Sequence, residues 1–241
     1  MFRSVFIAVS LFYILGLLLA GMVYIIQSAQ IIAIAALLPE ISLLFYLVFL
    51  TIQVGRNVQL LLASVGMICA ILSTFSVVYY AENEGSALAS LIANALRFTF
   101  YILSFGYVAN KNLGMESFKS IKYWSLIGGS IVVFLPALYL FDLDYKGFKM
   151  IIAVQFAFSY VLLIQSLRRY GLVSWKAYLA GIGSVLGFVL SDTFFGFAEY
   201  HGMPLAYEFS HIVYFTAQYL FILGIQLQYT SRKWVRPELQ S

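Results

Sequence analysis

Five ionisable side chains stand inside long apolar stretches of this 241-residue chain: Glu40, Arg97, Asp192, Glu208 and His211. Placing such a group within a membrane-spanning helix costs about 2.5–3.5 kcal/mol even on insertion-based scales, so each needs a partner or a task. Carboxyl and imidazole groups can give or take a proton at a reacting atom, and a carboxylate can steady a developing cation. Helical spacing gathers them. Glu208, His211, Tyr214 and Gln218 follow steps of three, three and four, which is one helix face, and Asn94, Arg97 and Tyr101 form a matching stripe. A rise of about 1.5 Å per residue puts Glu40 and Arg97 about 15 Å from the outer ends of their spans, and Asp192 and His211 about 9 Å in. Glu208 is shallower. Ser73 and Thr74 share the depth of Asp192, so these residues are expected to converge on a cavity that opens toward the outer leaflet.

Glu40 and Arg97 read as a structural ion pair, each making the other tolerable in lipid. Asp192 has no lysine or arginine at its depth and reads as a functional acid. His211, Tyr214 and Gln218 also fit plain helix–helix hydrogen bonding. Glu199 and His201 read as solvated loop residues. With two histidines, one of them in a loop, and one cysteine, Cys69, no metal site and no cofactor is expected. No lysine lies deep within a span, so a retinal Schiff base is not expected.

The elements that must position these groups follow from composition. Apolar residues make up 63% of the chain and charged ones 10%, where a soluble domain carries about 25% charged residues. That excludes a soluble enzyme, a nucleic-acid binder and a disordered chain, and it predicts an all-α polytopic membrane protein. Eight apolar stretches are long enough to cross a bilayer: 4–26, 30–53, 58–80, 86–109, 121–141, 147–167, 174–198 and 205–229. The first reads as an uncleaved span and not a signal peptide, because it is long and lacks a cleavage motif. Pro39 leaves a second option open, a short re-entrant piece before the second span.

Eleven of the fourteen basic residues fall on one side of this eight-span arrangement: Arg3, Arg56, Lys111, Lys119, Lys122, Arg168, Arg169, Lys176, Arg232, Lys233 and Arg236. Lys146 and Lys149 lie on the other side, with Glu82, Glu84, Asp142, Asp144 and Glu199 in or beside its loops. The positive-inside rule then puts both termini in the cytoplasm. Trp124, Trp175 and Trp234 fall near the same boundaries, where interface anchors belong.

The spans form one domain with an internal repeat at an offset of about 118 residues. "ILSTFSVVYYAEN" (71–83) matches "VLSDTFFGFAEYH" (189–201), and "NALRFTFYI" (94–102) matches "HIVYFTAQY" (211–219). Spans three and four thus pair with seven and eight in the same direction. This predicts a parallel 4 + 4 duplication, with halves at about 1–115 and 116–229 and a cytoplasmic tail at 230–241.

The segments "GSVLGFVLSDTFFGF" and "HIVYFTAQYLFILGI" resemble the YhhN-like lysoplasmalogenase family of integral membrane proteins. That family has a Ser-Asp pair in the penultimate span and a Tyr…Gln pair in the last, matched here by Ser191-Asp192 and by Tyr214 and Gln218. In the first half it has Gly-Asp in span three, then a histidine followed by a tyrosine three residues on in span four. Here Ser73-Thr74, Asn94 and Arg97 stand at those places. The resemblance implies hydrolysis of a lysoplasmalogen vinyl ether to a fatty aldehyde and a glycerophospho head group. It assigns Asp192 as one catalytic carboxyl. The family's second aspartate is missing, so Glu208 or Glu40 would replace it, with His211 as acid or base. Ser73, Thr74, Asn94, Arg97, Ser191, Tyr214 and Gln218 would bind a membrane lipid or lysolipid substrate. Two other classes stay open: a non-catalytic member that binds or moves an amphiphile, and a small-molecule transporter. A bacterial cytoplasmic membrane is the expected location.

Overall fold

The computed structural model describes residues 2–26, 29–55, 57–79, 84–111, 128–131, 149–201 and 203–230. Apart from short connections, these are helical: α1 (Phe2–Ile26), α2 (Ala29–Val54), α3 (Val58–Tyr79), α4 (Glu84–Lys111), α5 (residues 128–131), α6 (Lys149–Arg168), α7 (Trp175–His201) and α8 (Pro204–Thr230). The chain is an all-α polytopic membrane protein. Five stretches are long and apolar enough to cross a membrane: Ala36–Val54, Val58–Ser76, Ala89–Val108, Trp175–Ala198 and Leu205–Thr230, with a shorter apolar run at Val5–Leu18. Most of the fifth expected span lies outside the described residues. So do Arg56, Glu82, Lys119, Lys122, Trp124, Asp142, Asp144, Lys146, Arg232, Lys233, Trp234 and Arg236.

Helix α2 runs unbroken through Pro39, so the re-entrant alternative gives way to a single helix. Proline removes one backbone donor and crowds the preceding turn. Its ring is met by α1 at Gly16, where an added Cβ would stand 3.0 Å from the proline Cδ. The Ser42 hydroxyl donates back to the Pro39 carbonyl at 2.7 Å. Glu40 is thereby held on a firm helix.

The packing repeats as the sequence does. Helices α7 and α8 form the most extensive pair and α3 and α4 the next, and these are the two matched hairpins. Across α3 and α4, Ser73 Oγ lies 2.9 Å from Ser90 Oγ and donates to its carbonyl at 3.1 Å. Across α7 and α8, the Ser191 hydroxyl donates to the Ser210 carbonyl at 2.9 Å, and Ser210 returns the bond at 3.0 Å. Each half also lays its last helix on the second helix of the other half, α4 on α6 and α8 on α2. Helix association in lipid depends on close backbone approach, which small residues allow. An added Cβ at Gly187 would stand 2.8 Å from the Ala217 Cβ, and one at Gly224 would stand 3.2 Å from the Ala177 carbonyl oxygen.

Overpacking such a contact costs about 1–3 kcal/mol. Gly187→Ala is expected to destabilise the folded chain by that amount in a detergent unfolding titration. Gly128→Ala, where an added Cβ meets nothing within 4 Å, is expected to be neutral. Equal stabilities would show that the α7–α8 contact is looser than described.

Candidate active site

Two chains of hydrogen bonds run through the bundle, and each ends on a carboxyl. In the first, the Tyr101 hydroxyl of α4 donates to Gln218 Oε1 of α8 at 2.6 Å. Gln218 Nε2 then donates to the Tyr214 hydroxyl oxygen at 3.0 Å, and Tyr214 donates to Glu40 Oε1 at 2.9 Å. The Tyr101 bond fixes which way the Gln218 amide points, so the chain has one direction. In the second, Asn94 Nδ2 of α4 donates to Gln155 Oε1 of α6 at 3.0 Å, and Gln155 Nε2 donates to Asp192 Oδ2 of α7 at 3.1 Å.

Arg97 stands between the two chains and acts electrostatically on both Glu40 and Asp192. It is 1% exposed. Its guanidinium carbon lies 4.4 Å from the ring centre of Phe98 and 4.9 Å from those of Phe188 and Tyr214. Cation–π contacts of this kind contribute about 2 kcal/mol when desolvated. The expected contact ion pair between Glu40 and Arg97 is not formed: among the described residues no bond joins them, and Arg97 Nε and Nη1 have no hydrogen-bond partner. Tyr214 takes one carboxyl oxygen of Glu40 and its ring lies against the guanidinium, so the charges couple through space. Asp192, expected to lack a basic partner, shares Arg97 instead.

The residues matched by the repeat meet one another. Arg97 corresponds to Tyr214 and lies over its ring, while Tyr101 corresponds to Gln218 and bonds to it.

Of the predicted site residues, Asn94, Arg97, Asp192, Tyr214 and Gln218 are brought together, with Glu40 among them. Thr74 lies against the Glu40 carboxyl. Ser73 and Ser191 do not join; their hydroxyls tie the two hairpins together. His211 is also held apart. Its Nδ1 lies 2.9 Å from the Tyr207 carbonyl, one turn back, and its ring centre 4.5 Å from that of Tyr207. Glu208 is half-buried one turn before His211, and among the described residues no bond links it to Asp192.

Two participants were not anticipated. Gln155, which orients Asp192, is an amide set deep in the apolar first half of α6, and that depth was the available signal. Arg169, counted as a loop charge, is completely buried. Its guanidinium carbon lies 4.0 Å from the Phe105 ring centre, and Nη2 donates to Gln228 Oε1 at 3.0 Å. Gln228 and Gln59 exchange amide bonds at 2.8 and 3.3 Å. Burial lowers the Arg169 guanidinium to about 9, with Tyr229 opposing the shift, so it stays charged at neutral pH. Among the described residues no group of histidine, cysteine and acidic side chains could hold a metal.

No family profile, no characterised protein and no solved structure matches this chain.

The Tyr101 ring is backed by Gly66, where an added Cβ would stand 2.6 Å from its Cδ1 and Cε1. Gly66→Ala is expected to cost about 1–3 kcal/mol in an unfolding titration. In a Tyr101→Ala background that cost is expected to vanish. Simple additivity of the two substitutions would separate Gly66 from the positioning of Tyr101.

Proposed function

We propose that this chain is a membrane-embedded hydrolase that cleaves the vinyl ether bond of a lysoplasmalogen. The observation that carries this reading is the buried Arg97, which stands between two hydrogen-bond chains that end on Glu40 and on Asp192, one carboxyl from each half. The resemblance to the YhhN-like family supports it through Ser191, Asp192, Tyr214 and Gln218. Where that family has its first aspartate this chain has Thr74, and the Glu40 carboxyl reaches the same place from the neighbouring helix. The basic-residue asymmetry supports cytoplasmic termini, and a bacterial cytoplasmic membrane is the setting proposed.

The chemistry needs one acid and one carboxylate. The acid gives its proton to the β-carbon of the vinyl ether, and the ether oxygen's lone pair yields an oxocarbenium ion that the carboxylate stabilises. Water adds to the cationic carbon and surrenders a proton to a carboxylate, leaving a hemiacetal. Its bond to the glycerol oxygen then breaks, that oxygen takes a proton, and a fatty aldehyde leaves. One water is consumed and the donated proton is returned. The lipid chain remains in the bilayer throughout, which suits a site within the helices.

Purified protein in detergent, given a lysoplasmalogen, is expected to release fatty aldehyde. Asp192→Asn is expected to lower the rate by about 10²–10⁴-fold, the range of a general acid or base, with Glu40→Gln in the same range. His211→Ala is expected to leave it nearly unchanged. Release that survives Asp192→Asn would remove Asp192 from the mechanism. No release across head groups and pH would favour a protein that binds or moves an amphiphile.

A further inference from the structure

We propose that Glu40 is the proton-bearing acid of this site and that Asp192 is the anion held by Arg97. The inference rests on the hydrolase reading for its use in catalysis, but its geometry stands apart from it. The charge count comes first. Two carboxyls and one guanidinium share a buried interior, and an uncompensated charge there is costly. Neutrality requires one proton between the two acids.

The surroundings decide which acid holds it. Glu40 is completely enclosed, at 0% exposure, while Asp192 is half-buried. A carboxylate has about four lone-pair sites to satisfy. Glu40 Oε1 accepts from Tyr214, but Oε2 is buried without a hydrogen-bond partner. A neutral acid needs less: its carbonyl oxygen takes the tyrosine proton, and its O–H can turn toward the Thr74 hydroxyl beside it. The groups facing Glu40 are Tyr13 from α1, Thr74 from α3, Arg97 and Tyr101 from α4, and Tyr214 from α8. Asp192 faces Arg97 from α4 and accepts from Gln155 of α6.

The assignment gives the site an acid and a base at rest. Glu40 supplies the proton, and the Asp192–Arg97 pair offers a carboxylate to the developing cation. The Tyr101–Gln218–Tyr214 chain keeps the Glu40 carboxyl in one orientation.

Infrared spectroscopy of the full chain in lipid nanodiscs at neutral pH tests this without any substrate, so it can succeed or fail independently of hydrolysis. A protonated-carboxyl C=O band is expected that shifts when glutamate is ¹³C-labelled, does not shift when aspartate is labelled, and disappears in Glu40→Gln. In Asp192→Asn the band is expected to disappear too, because Glu40 then becomes the sole counter-ion to Arg97. Arg97→Gln is expected to add a second, aspartate-derived band. A band that follows the aspartate label would reverse the assignment. The absence of any protonated-carboxyl band, or a glutamate band that survives Glu40→Gln, would overturn it.

Discussion

A guanidinium in the middle of a membrane protein is the most demanding group this sequence contains, and the interior is arranged around that of Arg97. Lipid offers it no water. The bundle supplies instead three aromatic rings at 4.4–4.9 Å and two carboxyls acting through space. None of these comes from one helix alone. Phe98 is its neighbour on α4, Phe188 and Asp192 belong to α7, Tyr214 to α8 and Glu40 to α2. Burying Arg97 therefore requires both halves of the chain to be docked, and the site forms only as the fold closes.

The two halves of the bundle present their acids from different helices. In the second half the acid is on the third helix of the repeat, Asp192 of α7, and a neutral amide, Gln155, reaches it from the second helix, α6. In the first half the roles are exchanged. The neutral residue, Thr74, is on α3, and the acid, Glu40, comes from α2. Each half thus presents one carboxyl and one neutral hydrogen-bonding group at the junction of its second and third helices. The Arg97–Tyr214 and Tyr101–Gln218 contacts lie between them.

Much of this was legible in the sequence, for identifiable reasons. The seven long helices described follow from apolar length, and their ends fall within a few residues of the predicted ones because charges and turn residues mark them. The polar stripes on α4 and α8 followed from period alone, and Tyr214, Gln218, Arg97 and Asn94 meet as that period requires. What periodicity cannot give is the partner across an interface. Ser73 and Ser191 looked like site residues by depth, yet short hydroxyls at a close helix crossing satisfy the facing backbone instead. His211 shares a stripe with Tyr214, but its ring is taken by Tyr207 one turn away. The burial of Arg169 was not legible, because a basic residue beside a loop counts toward topology whether or not its side chain turns inward.

That second buried arginine is tied to the Arg97 layer through aromatic rings. From Arg169 an unbroken stack runs inward: its guanidinium over Phe105, Phe105 against Phe221 at 4.6 Å, and Phe221 against Tyr101 at 3.9 Å. Tyr101 then begins the hydrogen-bond chain to Glu40. The three rings form an apolar plug between two polar layers, the Arg169–Gln228–Gln59 layer at the α6–α7 turn and the Arg97 layer deeper in. Close-packed rings of this kind set an apolar layer between the two buried guanidinium groups. The aromatic contacts that make each buried cation tolerable therefore also hold the two polar layers apart.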